Sequence, residues 1–360
     1  MKIAVCCGGT GGHIFPGLAV AGELKARGHE VVLWLAGRNV EVSAVANWTG
    51  EVVTVQSRGF SGGVLSSVAA AFSMVRSVLY CRHRMKRMKP AVLLAMGSYA
   101  SVGPVLAARS LGVRVVLHEA NAVPGRAISM LSRYADAVAV SHTVTCRYLS
   151  GRKCVCTGFP VRKDILGVAC RQGSADVFSI LVLGGSLGAH AVNEVVSRGL
   201  CEAHSKGLKF KVIHLTGIRD EVEVRSRYEK AGVPHEVHGF LKDMARAYAG
   251  VDFAICRAGG ATCAELSAVG LPALLVPLPG APRDHQMANA LAMKEQGSAD
   301  VMEQGALTAD WLASYLTATV QNHQKLERMR SASASSHGTN ATATLADLVV
   351  EAGRTAACRP

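Results

Sequence analysis

The chain has 360 residues, of which 49% are hydrophobic and 18% are charged. This composition argues against a disordered chain, and the length suits two packed domains of about 150–200 residues each. The net charge is +13 while aromatic residues make up only 5%, so we expect an anionic partner but no base-stacking surface for nucleic acid. Apolar stretches are interrupted well before the ~18 residues that a membrane-spanning helix needs.

Short β-branched runs alternate with helical patterns through the first half of the chain. Strands are predicted at 2–6, 31–35, 51–55, 91–95, 114–117 and 136–140. Helices are predicted at 15–27, 39–47, 64–88, 101–110, 125–133 and 142–149. This alternation predicts a parallel sheet with helices on both faces. The first apolar run leads into glycines, so we interpret it as a strand and not as a secretion signal.

The first strand ends in the run GGTGGH at residues 8–13. Its glycines permit backbone angles and close approaches that a side chain forbids, and the N–H groups of a helix start favour anions. A dinucleotide-binding fingerprint is excluded because Ile14 stands at the third-glycine position. A Walker loop is excluded because no Gly-Lys-Ser/Thr is present. The run therefore predicts phosphate binding, or chemistry by His13.

The helix predicted at 64–88 has an apolar part and a basic end. Its apolar residues include Leu65, Val68, Phe72, Val75 and Leu79. The basic residues that follow are Arg76, Arg82, Arg84, Lys86, Arg87 and Lys89. Such a helix suits the surface of an anionic membrane. The alternative is a core-packed helix with a solvated charged end, and one helix can satisfy both interpretations.

The same alternation restarts after an irregular stretch, which predicts a second domain. Its strands are predicted at 177–183, 210–215, 236–238, 253–256 and 273–276. The turn GGSLGA at 184–189 follows the first of them much as GGTGGH follows the strand at the start of the chain. We therefore predict an α/β protein with two doubly wound domains, residues 1–158 and 177–335, facing one cleft. Residues 159–176 are the expected linker, and the tail 336–360 either returns to the first domain as a loose helix or frays.

A further strand-to-helix turn, RAGGATCAEL, occupies residues 257–266. A diphosphate near Gly259 and Gly260 would meet helix N–H groups, and Glu265 could accept hydrogen bonds from ribose hydroxyls. Further along, one predicted helical face carries three polar side chains: His285, Gln286 and Asn289. The alternatives are a carboxylate that compensates the helix dipole for Glu265 and ordinary surface for the helical face.

The eleven cysteines show neither paired C-x-x-C spacing nor a regular framework. We interpret all of them as reduced thiols of a cytosolic protein. His235 and His238 lie three residues apart on a strand-like segment and so point to opposite faces. They predict no shared metal ion, and no metal site or cofactor is expected.

Seven segments along almost the whole chain resemble the MurG family, which belongs to glycosyltransferase family 28. In chain order they are GGTGGHIFPGLAVA, MGSYASVGP, LHEAN, GFPVR, GGSLGA, RAGGATCAE and HQxxNA. The resemblance implies a GT-B fold, UDP-N-acetylglucosamine as donor and undecaprenyl-diphospho-N-acetylmuramyl-pentapeptide (lipid I) as acceptor. It implies transfer with inversion to give lipid II and UDP in peptidoglycan synthesis, with no obligatory metal. It also implies a peripheral enzyme on the cytoplasmic face of the bacterial cell membrane.

The resemblance places the family's donor-binding positions on a specific set of residues. They are Thr10, Gly11, Gly12, Asn121, Arg162, Ser186, Leu241, Gly260, Ala261, Thr262, Cys263, Ala264, Glu265 and Gln286. Ser186 and the glycines beside it are expected to hold the diphosphate, and the backbone of Leu241 is expected to bind uracil. Glu265 is expected to bind ribose hydroxyls, and Gln286 and Asn121 the hydroxyls of the sugar.

The resemblance places three candidate catalytic residues on the acceptor half, together with a wall for the acceptor. His13 is the first candidate for deprotonating the acceptor 4-hydroxyl, because imidazole titrates near physiological pH. A helix N-terminus disfavours imidazolium, so a hydrogen bond from His13 to a diphosphate or to the acceptor sugar is the alternative. Glu119 and His118 are the next candidates for the base. Tyr99 and Asn289 are expected on the acceptor side.

Three positions depart from the family pattern. Ser98 stands where glycine is usual, and Leu187 and Ala120 stand where glutamine is usual. Leu187 removes one side-chain contact with the donor, but none of the three changes removes a group that the chemistry requires.

Two rival functions share the two-domain plan. A UDP-N-acetylglucosamine 2-epimerase would use the same donor without a lipid acceptor. A non-catalytic UDP-sugar-binding module at the membrane would bind the donor without turnover.

Overall fold

The computed structural model describes residues 1–55, 64–149, 151, 153–168, 177–185, 188–241, 243–336 and 340–357. These residues form two compact units. The first unit comprises residues 1–162 and the C-terminal residues from 338 onward, and the second comprises 163–337. The chain therefore passes between units at Arg162–Lys163, inside the segment predicted as a linker.

The elements alternate between strand and helix along both units. The strands are β1 (Lys2–Cys6), β2 (Glu30–Leu35), β3 (Val52–Thr54), β4 (Val92–Ala95), β5 (Arg114–Glu119), β6 (Ala137–Val140), β7 (Cys154–Cys156), β8 (Phe178–Leu183), β9 (Phe210–Leu215), β10 (His235–His238), β11 (Phe253–Cys256), β12 (Ala273–Leu275) and β13 (Ala299–Val301). The helices are α1 (Gly11–Ala26), α2 (Asn39–Ala44), α3 (Val64–Met88), α4 (Val102–Ser110), α5 (Arg126–Leu131), α6 (Lys163–Leu166), α7 (His190–Ser205), α8 (Glu221–Ala231), α9 (Met244–Ala249), α10 (Gly260–Val269), α11 (His285–Glu295), α12 (Ala309–Gln321), α13 (His323–Ser336) and α14 (Ala341–Ala357).

Each unit contains one parallel sheet, and the six strands of the second sheet have the same order as the first six strands of the seven-stranded first sheet. The first sheet runs β3-β2-β1-β4-β5-β6-β7 and the second runs β10-β9-β8-β11-β12-β13. The central strands β1 and β8 are almost entirely buried, as expected for a sheet that is covered on both faces. The predicted α/β class with two doubly wound domains is confirmed.

The strand order reverses between β1 and β4 in the first unit and between β8 and β11 in the second. Open α/β sheets bind ligands outside the carboxyl ends of the strands at such a switch point. GGTGGH and GGSLGA follow β1 and β8, so both glycine turns lie at switch points.

The structure differs from the predicted elements at three places. The short edge strands β7 and β13 were not among the predicted strands. The helix predicted at 142–149 is a 3₁₀ turn over Thr143–Tyr148, where β-branched residues disfavour a regular helix.

The prediction that every cysteine is a reduced thiol is also wrong. Cys146 and Cys154 form a disulfide that joins the 3₁₀ turn to β7. Their Cα atoms are 5.8 Å apart, within the range that a disulfide can bridge. Cys156, two residues further on, is exposed and unbridged.

The C-terminal tail returns to the first unit as the helix α14. Its residues Leu345, Ala346 and Val349 are fully buried and pack with the core of that unit. At its surface, Asp347 pairs with Arg27. Of the two paths considered for the tail, the structure has the returning helix over residues 341–357.

Candidate active site

The turn after β1 is held from both neighbouring strands of the sheet. The Gly9 amide donates to Glu41 Oε1 at 2.6 Å, and the hydroxyl of Ser98 donates to the Gly8 carbonyl at 2.6 Å. Glu41 lies on α2, after β2, and Ser98 follows β4. Both glycines are buried, so these bonds satisfy backbone groups that would otherwise be costly to bury.

His13 lies in the first turn of α1, with Nδ1 3.0 Å from the hydroxyl of Thr10. Its ring lies close to two glycines, because a Cβ built on Gly9 would be 3.5 Å from Nδ1 and one on Gly97 would be 3.4 Å from Cδ2. Burial, together with the nearby charge of Arg38, lowers the pKa of His13 to about 4. His13 is therefore a neutral imidazole at pH 7.

His118 is the penultimate residue of β5 and is buried. Its Nε2 lies 3.3 Å from the Gly158 carbonyl, and its ring meets Phe159 edge-on. Burial lowers the pKa of His118 to about 4, against the opposing effect of the Gly158 carbonyl. The bond to a carbonyl indicates that Nε2 carries the proton, so a proton-accepting role for Nε2 is disfavoured.

Glu119 is buried, and its carboxylate accepts hydrogen bonds from its own loop. The donors are the Asn121 amide at 2.9 Å, the Asn121 side chain at 2.8 Å and the Gly125 amide at 2.8 Å. These contacts shape the loop after β5 and orient Asn121. They favour a positioning role for Glu119 over the predicted role as base.

Two further predicted residues lie in the first unit. Tyr99 is 42% exposed just after β4, where the acceptor side was predicted. The guanidinium of Arg162 stacks over the ring of Phe15 at 4.9 Å. Since Phe15 is in α1, this contact places Arg162 beside the helix that follows the first glycine turn.

A pocket lies at the switch point of the second unit. It is lined by Gly184, Gly185, Gly188, Ala189, Arg257, Gly259, Thr262, Leu278 and Gln286. The two glycine turns that follow β8 and β11 therefore meet in one place, as their sequences suggested. Ser186 and Leu187 lie outside the described residues.

Arg257 lines this pocket but was not among the residues predicted from the sequence. It is only 8% exposed, and its guanidinium donates to the carbonyls of Val276 and Pro277 at 3.2 and 3.0 Å and to Gln304 Oε1 at 2.5 Å. Burial lowers the pKa of Arg257, although an arginine remains charged in proteins. These three acceptors are neutral, so the pocket contains a buried positive charge. The available signal was a lone basic residue directly after a buried strand.

Two predicted donor residues have defined partners in the second unit. Gln286 lines the pocket, where its Oε1 accepts from the Leu278 amide at 3.0 Å. Glu265 accepts a hydrogen bond from the buried Tyr248 hydroxyl at 2.8 Å, which orients the carboxylate.

Asn289 was predicted to lie on the acceptor side, but the structure buries its side chain. Its side chain is wholly buried and donates to the Ala258 carbonyl at 3.0 Å. A side chain without exposed surface cannot touch an acceptor, so its place in the structure is to support the turn after β11.

The predicted donor set divides between the units. Thr10, Gly11, Gly12, Asn121 and Arg162 lie in the first unit, and Leu241, Gly260, Ala261, Thr262, Cys263, Ala264, Glu265 and Gln286 lie in the second. Within the described ranges, no group of three or more His, Cys, Asp or Glu side chains could hold a metal ion. Among the helices of those ranges, none has the length and apolarity to cross a membrane.

Two Rossmann-like units with glycine turns at their switch points define a fold shared by nucleotide-sugar enzymes. The UDP-N-acetylglucosamine 2-epimerase of Neisseria meningitidis has this fold, with a TM-score of 0.70 at 12% identity over 98% of this chain and all of its own. The family models match more specifically: the N-terminal domain of glycosyltransferase family 28 matches residues 3–140, and its C-terminal domain matches residues 179–348. The chain belongs to glycosyltransferase family 28.

Relatives with assigned names match almost end to end. The UDP-N-acetylglucosamine--N-acetylmuramyl-(pentapeptide) pyrophosphoryl-undecaprenol N-acetylglucosamine transferase of Ectopseudomonas mendocina is 38% identical, over 98% of this chain and 99% of its own. The enzyme of the same name from Shewanella denitrificans is 36% identical, over 98% and 97%. The crystal structure of Acinetobacter baumannii MurG superposes with a TM-score of 0.78 at 30% identity, over 97% of this chain and 99% of that one.

Proposed function

We propose that this protein transfers N-acetylglucosamine from UDP-N-acetylglucosamine to the 4-hydroxyl of the N-acetylmuramyl group of lipid I. The products are lipid II and UDP, in peptidoglycan biosynthesis. The names of relatives that match over 98% of the chain describe this transfer. One structural observation carries the proposal: buried Arg257 lines the pocket between two glycine turns, and the leaving group of the reaction is a diphosphate.

The donor diphosphate binds in the pocket of the second unit. Backbone amides of the glycine turns and the guanidinium of Arg257 stabilise the negative charge that develops as the C1–oxygen bond breaks. The backbone of Leu241 binds uracil, and Glu265, oriented by Tyr248, accepts hydrogen bonds from ribose. Gln286 binds the transferred sugar.

The acceptor binds to the first unit, where its hydroxyl oxygen attacks C1 of the sugar. The new bond forms as the bond to the diphosphate breaks, and the hydroxyl proton must pass to a base. Neutral His13 supplies the acceptor nitrogen Nε2 when its Nδ1–H donates to Thr10. The low pKa of His13 makes it a weak base, so its main effect is to orient the hydroxyl and share its proton in the transition state.

The protein binds peripherally to the cytoplasmic face of the membrane through α3. Val75, Leu79 and Tyr80 are exposed on this helix, with exposed fractions of 56, 61 and 46%. Arg76 and Arg87 are also exposed. They lie on the same helical face as Tyr80, because Tyr80 is four residues after Arg76 and seven before Arg87. Apolar side chains beside arginines suit a bilayer with anionic lipids.

The direct test is incubation with radiolabelled UDP-N-acetylglucosamine and a short-chain lipid I analogue. The account predicts labelled lipid and an equal amount of UDP. Label that moves into the 2-epimer without acceptor would indicate an epimerase, and donor binding without turnover would indicate a binding module. Arg257→Gln should lower the rate by at least tenfold, whereas the matched control Arg328→Gln, an exposed arginine on α13, should leave it unchanged.

A further inference from the structure

Glu41 is a buried carboxylate in the first unit to which the reaction assigns no part. It is 1% exposed, and its two oxygens accept from the backbone amides of Gly9 at 2.6 Å, Gly37 at 2.7 Å and Arg38 at 3.1 Å. A buried carboxylate is costly unless it is hydrogen-bonded. Here its bonds join the loop that follows β2 to the glycine turn that follows β1.

The glycine turn forms one wall of the slot that contains His13. A Cβ at Gly9 would lie 3.5 Å from His13 Nδ1 and 3.1 Å from the side chain of Ser98. On the other side, a Cβ at Gly97 would lie 3.5 Å from His13 Nε2. A shift of the Gly9 peptide would therefore change the space available to the imidazole ring.

We propose that Glu41 is a positioning residue for the acceptor half of the site: by bonding the Gly9 amide, it fixes the slot in which the His13 imidazole is oriented. Ser98 holds the same turn from the opposite side, through the Gly8 carbonyl. The inference rests on the proposed function, because His13 acts on the acceptor hydroxyl only if the protein is the transferase described above.

The carboxylate also distinguishes two turns that look alike in sequence. In the first unit, the Gly9 amide is occupied by an internal anion, Glu41. In the second unit, the pocket at the switch point is lined by the cation Arg257. The charge of Glu41 therefore makes the first turn a poorer site for a phosphate than the second.

The test is a double-mutant cycle between Glu41→Gln and His13→Ala, measured as kcat with both substrates saturating. Glutamine keeps the shape, but its NH₂ group cannot accept from a backbone amide. Glu41→Gln should lower kcat at least tenfold in the wild-type background and less than twofold in the His13→Ala background, with the Kd for UDP unchanged. An equal fold reduction of kcat in both backgrounds, or no reduction in either, would overturn the proposal.

A matched control comes from the second unit, where Glu221 accepts from the Gly239 amide at 2.9 Å. The effect of Glu221→Gln should be the same in both His13 backgrounds. If Glu41→Gln does not fold, Ser98→Ala removes the opposite contact with the turn and should show the same coupling to His13.

A second readout needs no substrate. In protein labelled with ¹⁵N-histidine, Glu41→Gln should shift the imidazole signals of His13 and leave those of His214, buried in the second unit, unchanged. Unchanged His13 signals would overturn the positioning role. Absence of transfer by the wild-type protein would instead overturn the proposed function, so the two failures are distinct.

Discussion

Ser98 has a backbone conformation that is normally reserved for glycine. Its φ is 63° and its ψ is 165°, a region whose strain costs of order 1–3 kcal/mol. Its hydroxyl compensates by donating to the buried Gly8 carbonyl and accepting from the Ala100 amide. These two hydrogen bonds explain how a serine is accommodated in a backbone conformation that favours glycine.

The two small replacements of Ser98 should therefore differ. Ser98→Ala keeps the strain and leaves the Gly8 carbonyl unpaired, so it should destabilise the protein by about 1–3 kcal/mol. Ser98→Gly also loses the hydroxyl but relieves the strain, so its free energy of unfolding should stay within about 1 kcal/mol of the wild type. Urea unfolding measures both, and equal losses would contradict the strain argument.

The low pKa of His13 predicts its pH dependence. The imidazole is neutral above a pKa of about 4, so protonation of His13 should not reduce kcat/KM for the acceptor between pH 8 and 5. Over that range, the ratio of wild-type to His13→Ala activity should be constant, and it should fall only as the pH approaches 4. A ratio that falls with an apparent pKa near 6.5 would contradict the burial of this group.

The lowered pKa of His13 also makes the free energy of unfolding depend on pH. Unfolded His13 binds a proton near pH 6.5 and the folded group only near 4, so the unfolded state binds more protons between these values. Stability should therefore rise with pH across this window and stay constant above it. His118 has the same lowered pKa and contributes in the same direction.

At the scale of elements, α3 is the candidate membrane contact. Two of its arginines are poor probes because they are bound within the unit: Arg82 donates to the Ser110 carbonyl at 2.9 Å, and Arg84 pairs with Glu51 at 2.7 Å. Reversing the exposed Arg76 and Arg87 avoids this difficulty.

Arg76→Glu combined with Arg87→Glu should weaken binding to phosphatidylglycerol-containing vesicles by tenfold or more, since each basic residue contributes about 1 kcal/mol near an anionic surface. The matched control is the double reversal Lys230→Glu and Arg328→Glu in the second unit. Vesicle flotation measures the membrane binding of both double variants. Equal loss in both, or none in either, would show that α3 is not the contact.

The returning helix α14 is an integral part of the first unit. Leu345 is fully buried, and Leu345→Ala should destabilise that unit by about 2–5 kcal/mol through the cavity that it leaves. Leu291, which is 44% exposed on α11, is the control, and its replacement by alanine should change stability by less than about 0.5 kcal/mol. Hydrogen exchange of the first sheet should distinguish the two. A small effect of Leu345→Ala would contradict this packing.

Sequence reasoning located the elements that have strong local signals. The strands β1 and β8 and the glycine turns after them follow directly from apolar runs that end in glycine. The edge strands β7 and β13 have three residues each and were not predicted. The equally short edge strand β3 was predicted because its segment contains Val52, Val53 and Val55.

The two residues to which we assign roles without a sequence prediction, Glu41 and Arg257, make contacts distant in sequence. Glu41 bonds Gly9 across 32 residues, and Arg257 contacts Gln304 across 47. The disulfide between Cys146 and Cys154 likewise depends on the path of the chain between turn and strand. No pattern within one segment encodes such contacts, whereas His13 and Gln286 could be predicted as site residues because their own segments carry recognisable motifs.

At the scale of the whole molecule, each unit carries one buried charged side chain beside its switch point. Glu41 lies on the helix after β2 in the first unit, and Arg257 directly follows β11 in the second. We propose that Glu41 disfavours a phosphate at the first glycine turn and that Arg257 favours one in the pocket of the second unit. On this proposal, the two buried charges contribute to the division between acceptor and donor sites.

The most direct test of this account is calorimetric binding of UDP and of uridine to the wild type and to Arg257→Gln. The account predicts that the substitution weakens UDP binding by at least tenfold and leaves uridine binding unchanged, because only the diphosphate meets the guanidinium. Unchanged UDP affinity, or an equal loss for both ligands, would contradict the placement of the diphosphate in the second unit.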